Sequence, residues 1–300
     1  MLAPLPLPPP LRAGDRLRVI APSGALRELD AFQAGVALWR SQGYEVDLSP
    51  GYDARYGYLA GKDAQRRQAL AAAWQDPDCR GILCARGGYG SARLLEAWQW
   101  PVVTQPKWLI GFSDITGLLW SLAAQGQAGL HAAVLTSLAA EPAWSQQRLF
   151  DCVAGRPLGP LQGQGWGGGV AEGLLLPANL TVATHLLGTK AQPDLAGVIL
   201  ALEDVTEAPY RLDRMLTQWR MCGAFTGLRG LALGRFSRCD PPAESPSWTA
   251  AAVLRDRLQD LGLPIVAELP FGHDGANAAL PLGQRARLDG AAGTLTLLGS

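Results

Sequence analysis

The first 130 residues alternate short apolar runs with amphipathic helical patterns, and few folds accept that rhythm. Arg16–Ala21 (RLRVIA) reads as a buried strand ending in Pro-Ser-Gly. Leu26–Gln42 reads as a helix, with Leu29, Phe32, Val36 and Trp39 at helical spacing and Gly43 as its stop. A strand over Tyr44–Leu48 and a helix over Asp63–Gln75, with Asp63 as its cap, come next. Gly81–Ala85 (GILCA) and Lys107–Ile110 supply two more strands, each followed by a helical pattern, from about Ser91 and from Ile115 to Gln125. Apolar strands and helices in strict alternation predict a parallel sheet covered on both faces, the doubly wound α/β fold of the flavodoxin or Rossmann kind.

Residues 154–173 interrupt the pattern with eight glycines and two prolines and read as a linker. Beyond it, Gly197–Leu202 and Gly230–Gly234 are strand-like, and Tyr210–Met221 and Thr249–Leu261 helix-like. Arg285–Leu298 reads as two strands around a Gly-Ala-Ala-Gly turn. The expected organisation is an N-terminal α/β domain over 1–153, a linker over 154–173 and a second, C-terminal α/β domain over 174–300. A length of 300 residues fits two domains. Met1–Pro10, with five prolines and no basic residue, reads as a stiff extended arm rather than a secretory leader.

Composition narrows the function classes. A 48% hydrophobic content supports a large core and excludes a disordered chain. Basic and acidic side chains number 14 and 12 over residues 1–150 and 12 and 14 over 151–300, too balanced for a protein that tracks phosphate backbones. Nucleic acid is therefore not an expected partner. No apolar run reaches the ~18 residues of a membrane helix, so no membrane association is expected. The five cysteines are odd in number and lack metal-ligand spacing, which points to a reduced, cytoplasmic protein with no metal or other cofactor.

Three stretches carry chemistry. In WLIGFSDIT, Ser113 falls on a strand-to-helix turn at the carboxyl end of a parallel strand, the edge where open α/β sheets bind ligands. Two roles are open: helix cap, or nucleophile with the Asp114 N–H facing the developing oxyanion. Ile115 stands where a G-x-S-x-G elbow has its last glycine, so an ordinary α/β-hydrolase is not indicated. In ARGGYGSAR (85–93), Gly87, Gly88 and Gly90 let backbone N–H groups approach a ligand. Arg93 replaces the third glycine of a dinucleotide fingerprint, and no Gly-Lys-Ser/Thr ending follows, leaving a tight turn, an oxyanion hole or a carboxylate nest. Of three histidines, His131 and His185 lie in apolar or helical contexts that suit packed or hydrogen-bonded side chains. His273, in the glycine-rich loop PFGHDGANAALP, is the candidate base or a surface-turn histidine. Glu203 and Asp204, where an apolar strand ends, are candidate partners for a base or a solvated charge run at a helix start.

Taken together, the segments resemble the LD-carboxypeptidase family, the serine peptidases of family S66. The resemblance rests on RVIAPSG at 18–24, RGGYGSARLL at 86–95, LIGFSDITGLL at 109–119, LALEDVTEAPYRLDRMLTQWR at 200–220 and GHDGANAALPLGQRARLD at 272–289. One departure is visible: Pro177-Ala178-Asn179-Leu180 stands where the family often has Gly-Gly-Asn-Leu. The resemblance implies a Ser-His-Glu triad, with Ser113 as nucleophile, His273 as general base and Glu203 as the acceptor that orients it. Gly88 and Asp114 would supply the oxyanion-hole N–H groups. Arg86, Tyr89 and Arg93 are candidates for substrate binding, the arginines for a terminal carboxylate.

What the resemblance implies further is a cytoplasmic homodimer with its active site at the domain junction, removing terminal D-Ala from a murein tetrapeptide in cell-wall recycling. Two rivals stand beside it. One is cleavage of microcin-type peptidyl-nucleotide antibiotics, as some relatives do. The other is a non-catalytic peptide or muropeptide binding protein.

Overall fold

The structure, a computed structural model, describes residues 3–244 and 246–299. The chain forms two compact units. Leu5–Leu158 and Ala278–Leu282 make the first; Gly159–Asn277, the chain from Gly283 onward and the N-terminal residues to Pro4 make the second.

The first unit is built on β1 (Arg16–Ile20), β2 (Glu45–Leu48), β3 (Cys79–Cys84), β4 (Trp108–Gly111) and β5 (Leu130–His131), all parallel in the order β2-β1-β3-β4-β5. Leu280–Pro281 adds a sixth, antiparallel edge strand against β5. Between strands run α1 (Leu29–Ser41), α2 (Asp63–Gln75), α3 (Ser91–Leu95) and α4 (Thr116–Ala123); α5 (Leu135–Leu138) and α6 (Ala143–Val153) follow β5. Leu17, Val19, Ile82 and Leu109 are fully buried, as is Phe32 on the inner face of α1. Each such side chain contributes roughly 1.5–3 kcal/mol of burial. The strand order has its switch point between β1 and β3, so the loops after those strands open at the crevice where doubly wound sheets take ligands.

The second unit carries an eight-stranded mixed sheet. Its strands are β6 (Leu161–Gln162), β7 (Gln164–Gly167), β8 (Val170–Asn179), β9 (Val198–Val205), β10 (Gly230–Ser237) and β11 (Ile265–Ala267), then, past the edge strand Leu280–Pro281 (β12), β13 (Arg285–Asp289) and β14 (Thr294–Leu297). The order is β6-β14-β13-β8-β9-β10-β11-β7, with β8 to β11 parallel and the rest antiparallel. Helices α7 (Leu180–Leu186), α8 (Pro209–Met221) and α9 (Ala250–Leu258) belong to it. In α8, Pro209 takes the first turn, where its missing N–H costs nothing, and Leu212, Met215, Leu216 and Trp219 bury one stripe.

Several expectations change. Residues 154–173 are not a linker: 154–158 belong to the first unit, and from Leu161 the segment carries β6, β7 and the start of β8. Several of its glycines serve close packing. A Cβ on Gly163 would lie 2.3 Å from the Ala267 carbonyl oxygen, and one on Gly165 2.3 Å from that of Gly290. The C-terminal region is not wholly a second domain either, because 278–282 return to the first sheet. Lys62, not Asp63, caps α2, its N–H donating to Gln65 Oε1 at 2.9 Å. Of the Met1–Pro10 arm, residues 1 and 2 lie outside the described residues. The rest has no helix or strand, as an extended arm should, and is mostly exposed, held by the buried Leu5 and Pro8 and by the Pro9 carbonyl, which accepts from Trp108 Nε1 at 3.0 Å. Among the described residues no helix is long and apolar enough to cross a membrane.

Candidate active site

In the first unit, Ser113 opens a 3-10 turn (Ser113–Ile115) between β4 and α4. Its φ is +62°, in the left-handed region that costs a non-glycine residue of order 1–3 kcal/mol. The cap position of that turn falls on Phe112, so the turn does not use Ser113 as its cap. A Cβ on Gly87 would sit 3.1 Å from both Cβ and Oγ of Ser113, so the glycine-rich turn lies directly against the hydroxyl. Gly88 follows with φ +105°.

Asp114 fixes this arrangement. Its buried carboxylate accepts from Ser23 Oγ and from the Ser91 N–H at 2.8 Å, and Ser91 Oγ donates to its carbonyl. One side chain thus ties together the loops after β1, β3 and β4. The Gly24 N–H donates to the Gly87 carbonyl at 3.1 Å, closing the same junction. Arg66, on α2, was not singled out in the sequence. It is buried and donates to the carbonyls of Pro22 and Gly90. An arginine on the inner face of a helix was the available signal.

The sequence-based substrate arginines are engaged in ion pairs. Arg93 holds Asp63 through Nη2 at 2.7 Å and Nε at 3.1 Å. Hydrogen bonds from Arg93, then Arg66, keep the Asp63 carboxyl down at about 2. Arg86 pairs with Glu28 at 3.0 and 3.4 Å. Tyr89 is exposed, its ring 5.9 Å from that of Tyr58.

In the second unit, Glu203 near the end of β9 is fully buried, and its Oε2 lies 2.7 Å from His273 Nδ1. The solvated reading of Glu203 and Asp204 does not hold, since Asp204 is buried as well. His273 sits on a loop shaped by Gly272, whose φ is +110° and where a Cβ would meet Glu203 Cβ at 3.0 Å. Arg235 clamps the loop from β10, donating through Nε to the His273 carbonyl at 3.0 Å and through Nη2 to that of Ala276. Ser237 Oγ also donates to the His273 carbonyl, and the Gly272 N–H donates to Asn277 Oδ1 at 3.0 Å. Arg235 escaped sequence reasoning; a lone arginine within a buried strand was its only mark.

Asn179 is a further residue that sequence reasoning left aside. It caps α7, its Oδ1 accepting from the Val182 N–H at 3.1 Å, and its Nδ2 donates to Glu203 Oε1 at 3.2 Å. Pro177 and Ala178, the departure from Gly-Gly, lie in β8 paired with Ala201 and Leu202. The other histidines have contacts of their own: His131 is buried edge-on to Phe112, and His185 on α7 meets the Thr181 carbonyl at 2.6 Å. Among the described residues no group of three or more His, Cys, Asp or Glu side chains is placed to hold a metal ion.

A serine on a strained strand-to-helix turn and a histidine paired through Nδ1 with a buried carboxylate are the parts of a serine peptidase, carried here on α/β scaffolds. The profile of the LD-carboxypeptidase N-terminal domain matches residues 17–132, and that of the C-terminal domain matches 172–288. The chain is 62% identical, over 97% of each chain, to a Synechocystis sp. protein provisionally named a carboxypeptidase. It is 33% identical to the murein tetrapeptide carboxypeptidase of Pseudomonas aeruginosa, over 92% of this chain and 93% of that one. In fold it resembles the microcin C7 self-immunity protein MccF, with a TM-score of 0.88 over 98% of this chain and 99% of that one at 20% identity. The chain belongs to the LD-carboxypeptidase family, peptidase family S66, and is a serine-type carboxypeptidase.

Proposed function

We propose that the protein removes the terminal D-Ala from murein tetrapeptide in the cytoplasm, as a step of peptidoglycan recycling, and that it does so as a homodimer. The observation that carries the chemistry is the 2.7 Å contact between His273 Nδ1 and the fully buried Glu203. It favours the imidazole tautomer with the proton on Nδ1, in which Nε2 is the basic nitrogen, the one that takes a proton in general-base catalysis. Sequence identity to a murein tetrapeptide carboxypeptidase over nearly the whole chain supports the substrate.

In this reading Ser113 Oγ attacks the carbonyl of the bond to D-Ala while His273 Nε2 takes its proton. Glu203 stabilises the resulting imidazolium. The N–H groups of Gly88 and Asp114 receive the oxyanion, each worth ~10²–10³ in turnover. The imidazolium then protonates the leaving D-Ala amine, and water, deprotonated by His273, releases the acyl group from Ser113.

The test is incubation of the protein with L-Ala-γ-D-Glu-meso-diaminopimelate-D-Ala, with mass spectrometry following loss of one D-Ala and Ser113→Ala as control. Product from wild type alone is the expected result. No product from wild type would overturn the substrate, and a peptidyl-nucleotide conjugate assayed alongside would then decide for the antibiotic-cleaving alternative. Product from both proteins would remove Ser113 as nucleophile.

A further inference from the structure

Glu203 is not the only buried carboxylate at the end of β9. Asp204, next to it, is 2% exposed, and four donors converge on it. Asp204 Oδ1 accepts from Asn179 Nδ2 at 3.0 Å and from the Val205 N–H at 2.8 Å. Asp204 Oδ2 accepts from the Thr181 N–H at 2.9 Å and Thr181 Oγ1 at 2.8 Å. Burial, and then the charge of Glu203, push its carboxyl up to about 6. Placing two carboxylates side by side in the interior is costly, and the mechanism above uses only one.

Asn179 joins them. Its Oδ1 is committed to the Val182 N–H, which turns Nδ2 toward the acids. One of the two Nδ2 hydrogens serves Asp204 and the other Glu203 Oε1. Glu203 Oε1 is thereby occupied, and Oε2 is left for His273. Thr181 lies in the first turn of α7, so Asp204 also anchors the helix end that Asn179 caps.

We propose that Asp204 is a positioning residue of this site: through Asn179 it locks the Glu203 carboxylate in the rotation that presents Oε2 to His273 Nδ1. The proposal rests on the peptidase reading above for its kinetic consequence, but its structural consequence does not need a substrate. Asp204→Asn keeps the shape and puts an amide N–H₂ against donors on whichever side it turns. The Asn179 amide then loses its fixed partner and Glu203 its restraint. Asn179→Ala removes the bridge itself and gives the same phenotype. The two changes together cost no more than either alone, as expected of residues acting in one chain.

The experiment has two readouts on the folded protein. In the proton NMR spectrum, the His273 Nδ1–H, identified by its loss in His273→Gln, resonates far downfield in wild type and moves upfield or broadens in Asp204→Asn and Asn179→Ala. In the tetrapeptide assay, both variants lose about 10- to 100-fold in kcat with KM unchanged, because orientation is lost and substrate binding is not. An unmoved resonance with wild-type kcat in Asp204→Asn overturns the proposal. A resonance that moves in the two variants, with a wild type inactive on tetrapeptide, sinks the substrate reading and leaves the positioning role standing. If Asp204→Asn does not fold, Thr181→Ala, which removes one donor of the four, decides by the same two readouts.

Discussion

Ser113 is held by backbone, His273 by side chains. Around the serine, the fixed parts are a left-handed φ, a glycine turn pressed on the hydroxyl and loop-to-loop bonds gathered by Asp114. Around the histidine, the fixed parts are buried charges and amides: Glu203, Asn179, Asp204 and the Arg235 clamp. In the function proposed above, the difference follows from what each group would do. A nucleophile needs an accessible hydroxyl beside N–H donors, which a tight turn supplies. A base needs a fixed tautomer and a stabilised cation, which only a buried acceptor supplies.

The largest effect should come from the serine. Ser113→Ala is expected to lower kcat by roughly 10⁴-fold or more. Ser113→Gly should be equally inactive and yet more stable, by about 1 kcal/mol, because glycine accepts a positive φ without strain. Thermal unfolding of the two variants reads this directly. A Ser113→Gly protein that melts below Ser113→Ala would break the idea that strain is stored at position 113.

Glu203→Gln comes next, with an expected loss of ~10²–10⁴ in kcat, since the amide does not hold the productive tautomer or stabilise the imidazolium. It also has a stability signature. The Asp204 carboxyl is raised in the folded protein, so its contribution is full below its unfolded value near 4 and is lost as pH climbs through about 6. That loss is on the order of 3 kcal/mol at most. With Glu203 neutral, one cause of the raised value is gone, and the fall in unfolding free energy between pH 4 and 6 should flatten. An unchanged slope would show that burial alone sets the value. Gly87→Ala should be milder, with about a tenfold loss of kcat as the new methyl crowds Ser113 Oγ, and little change in melting temperature.

The two regions also differ in how far the chain revealed them beforehand. Four of the five parallel strands of the first sheet are legible because each is a short apolar run ending at a glycine, proline or polar turn, and the chemistry at their ends falls on local motifs; β5, two residues long, gives no such signal. The glycines at 163 and 165 mislead for a physical reason. A glycine needed where another carbonyl leaves no room for a Cβ looks the same in one dimension as a glycine in a flexible linker. The support of His273 is scattered over Asn179, Asp204, Arg235 and Asn277, and no spacing rule joins residues that meet only when β8, β9 and β10 pair. Glu203 and His273 stand out in the sequence as candidates, at a strand end and in a glycine-rich loop, and the family resemblance joins them; their surroundings emerge only in the folded chain.

The smallest expected effect bears on the surface ion pairs of the serine unit. Arg93 and Asp63 make a well-formed bidentate contact, but the guanidinium is 39% exposed and the carboxylate 24%. Exposed pairs contribute little, and the buried Arg66, which also pairs with Asp63, keeps the Pro22 and Gly90 carbonyls and the amide oxygen of the variant, so Asp63→Asn should cost on the order of 1 kcal/mol at pH 7. The Asp63 carboxyl is held down at about 2. Its contribution is therefore present above pH 4 and fades as pH drops toward 2. The wild-type advantage over Asp63→Asn should vanish across that window, as read by denaturant unfolding at pH 2, 4 and 7. Arg93→Ala then separates two roles for the same side chain. An arginine committed to Asp63 leaves KM for the tetrapeptide within about twofold of wild type. One that releases Asp63 to take a terminal carboxylate raises KM by roughly tenfold or more, the worth of a charge-assisted hydrogen bond. That second outcome would show that the serine unit also turns a side-chain charge toward the substrate, beyond the structural contacts of Asp114 and Arg66.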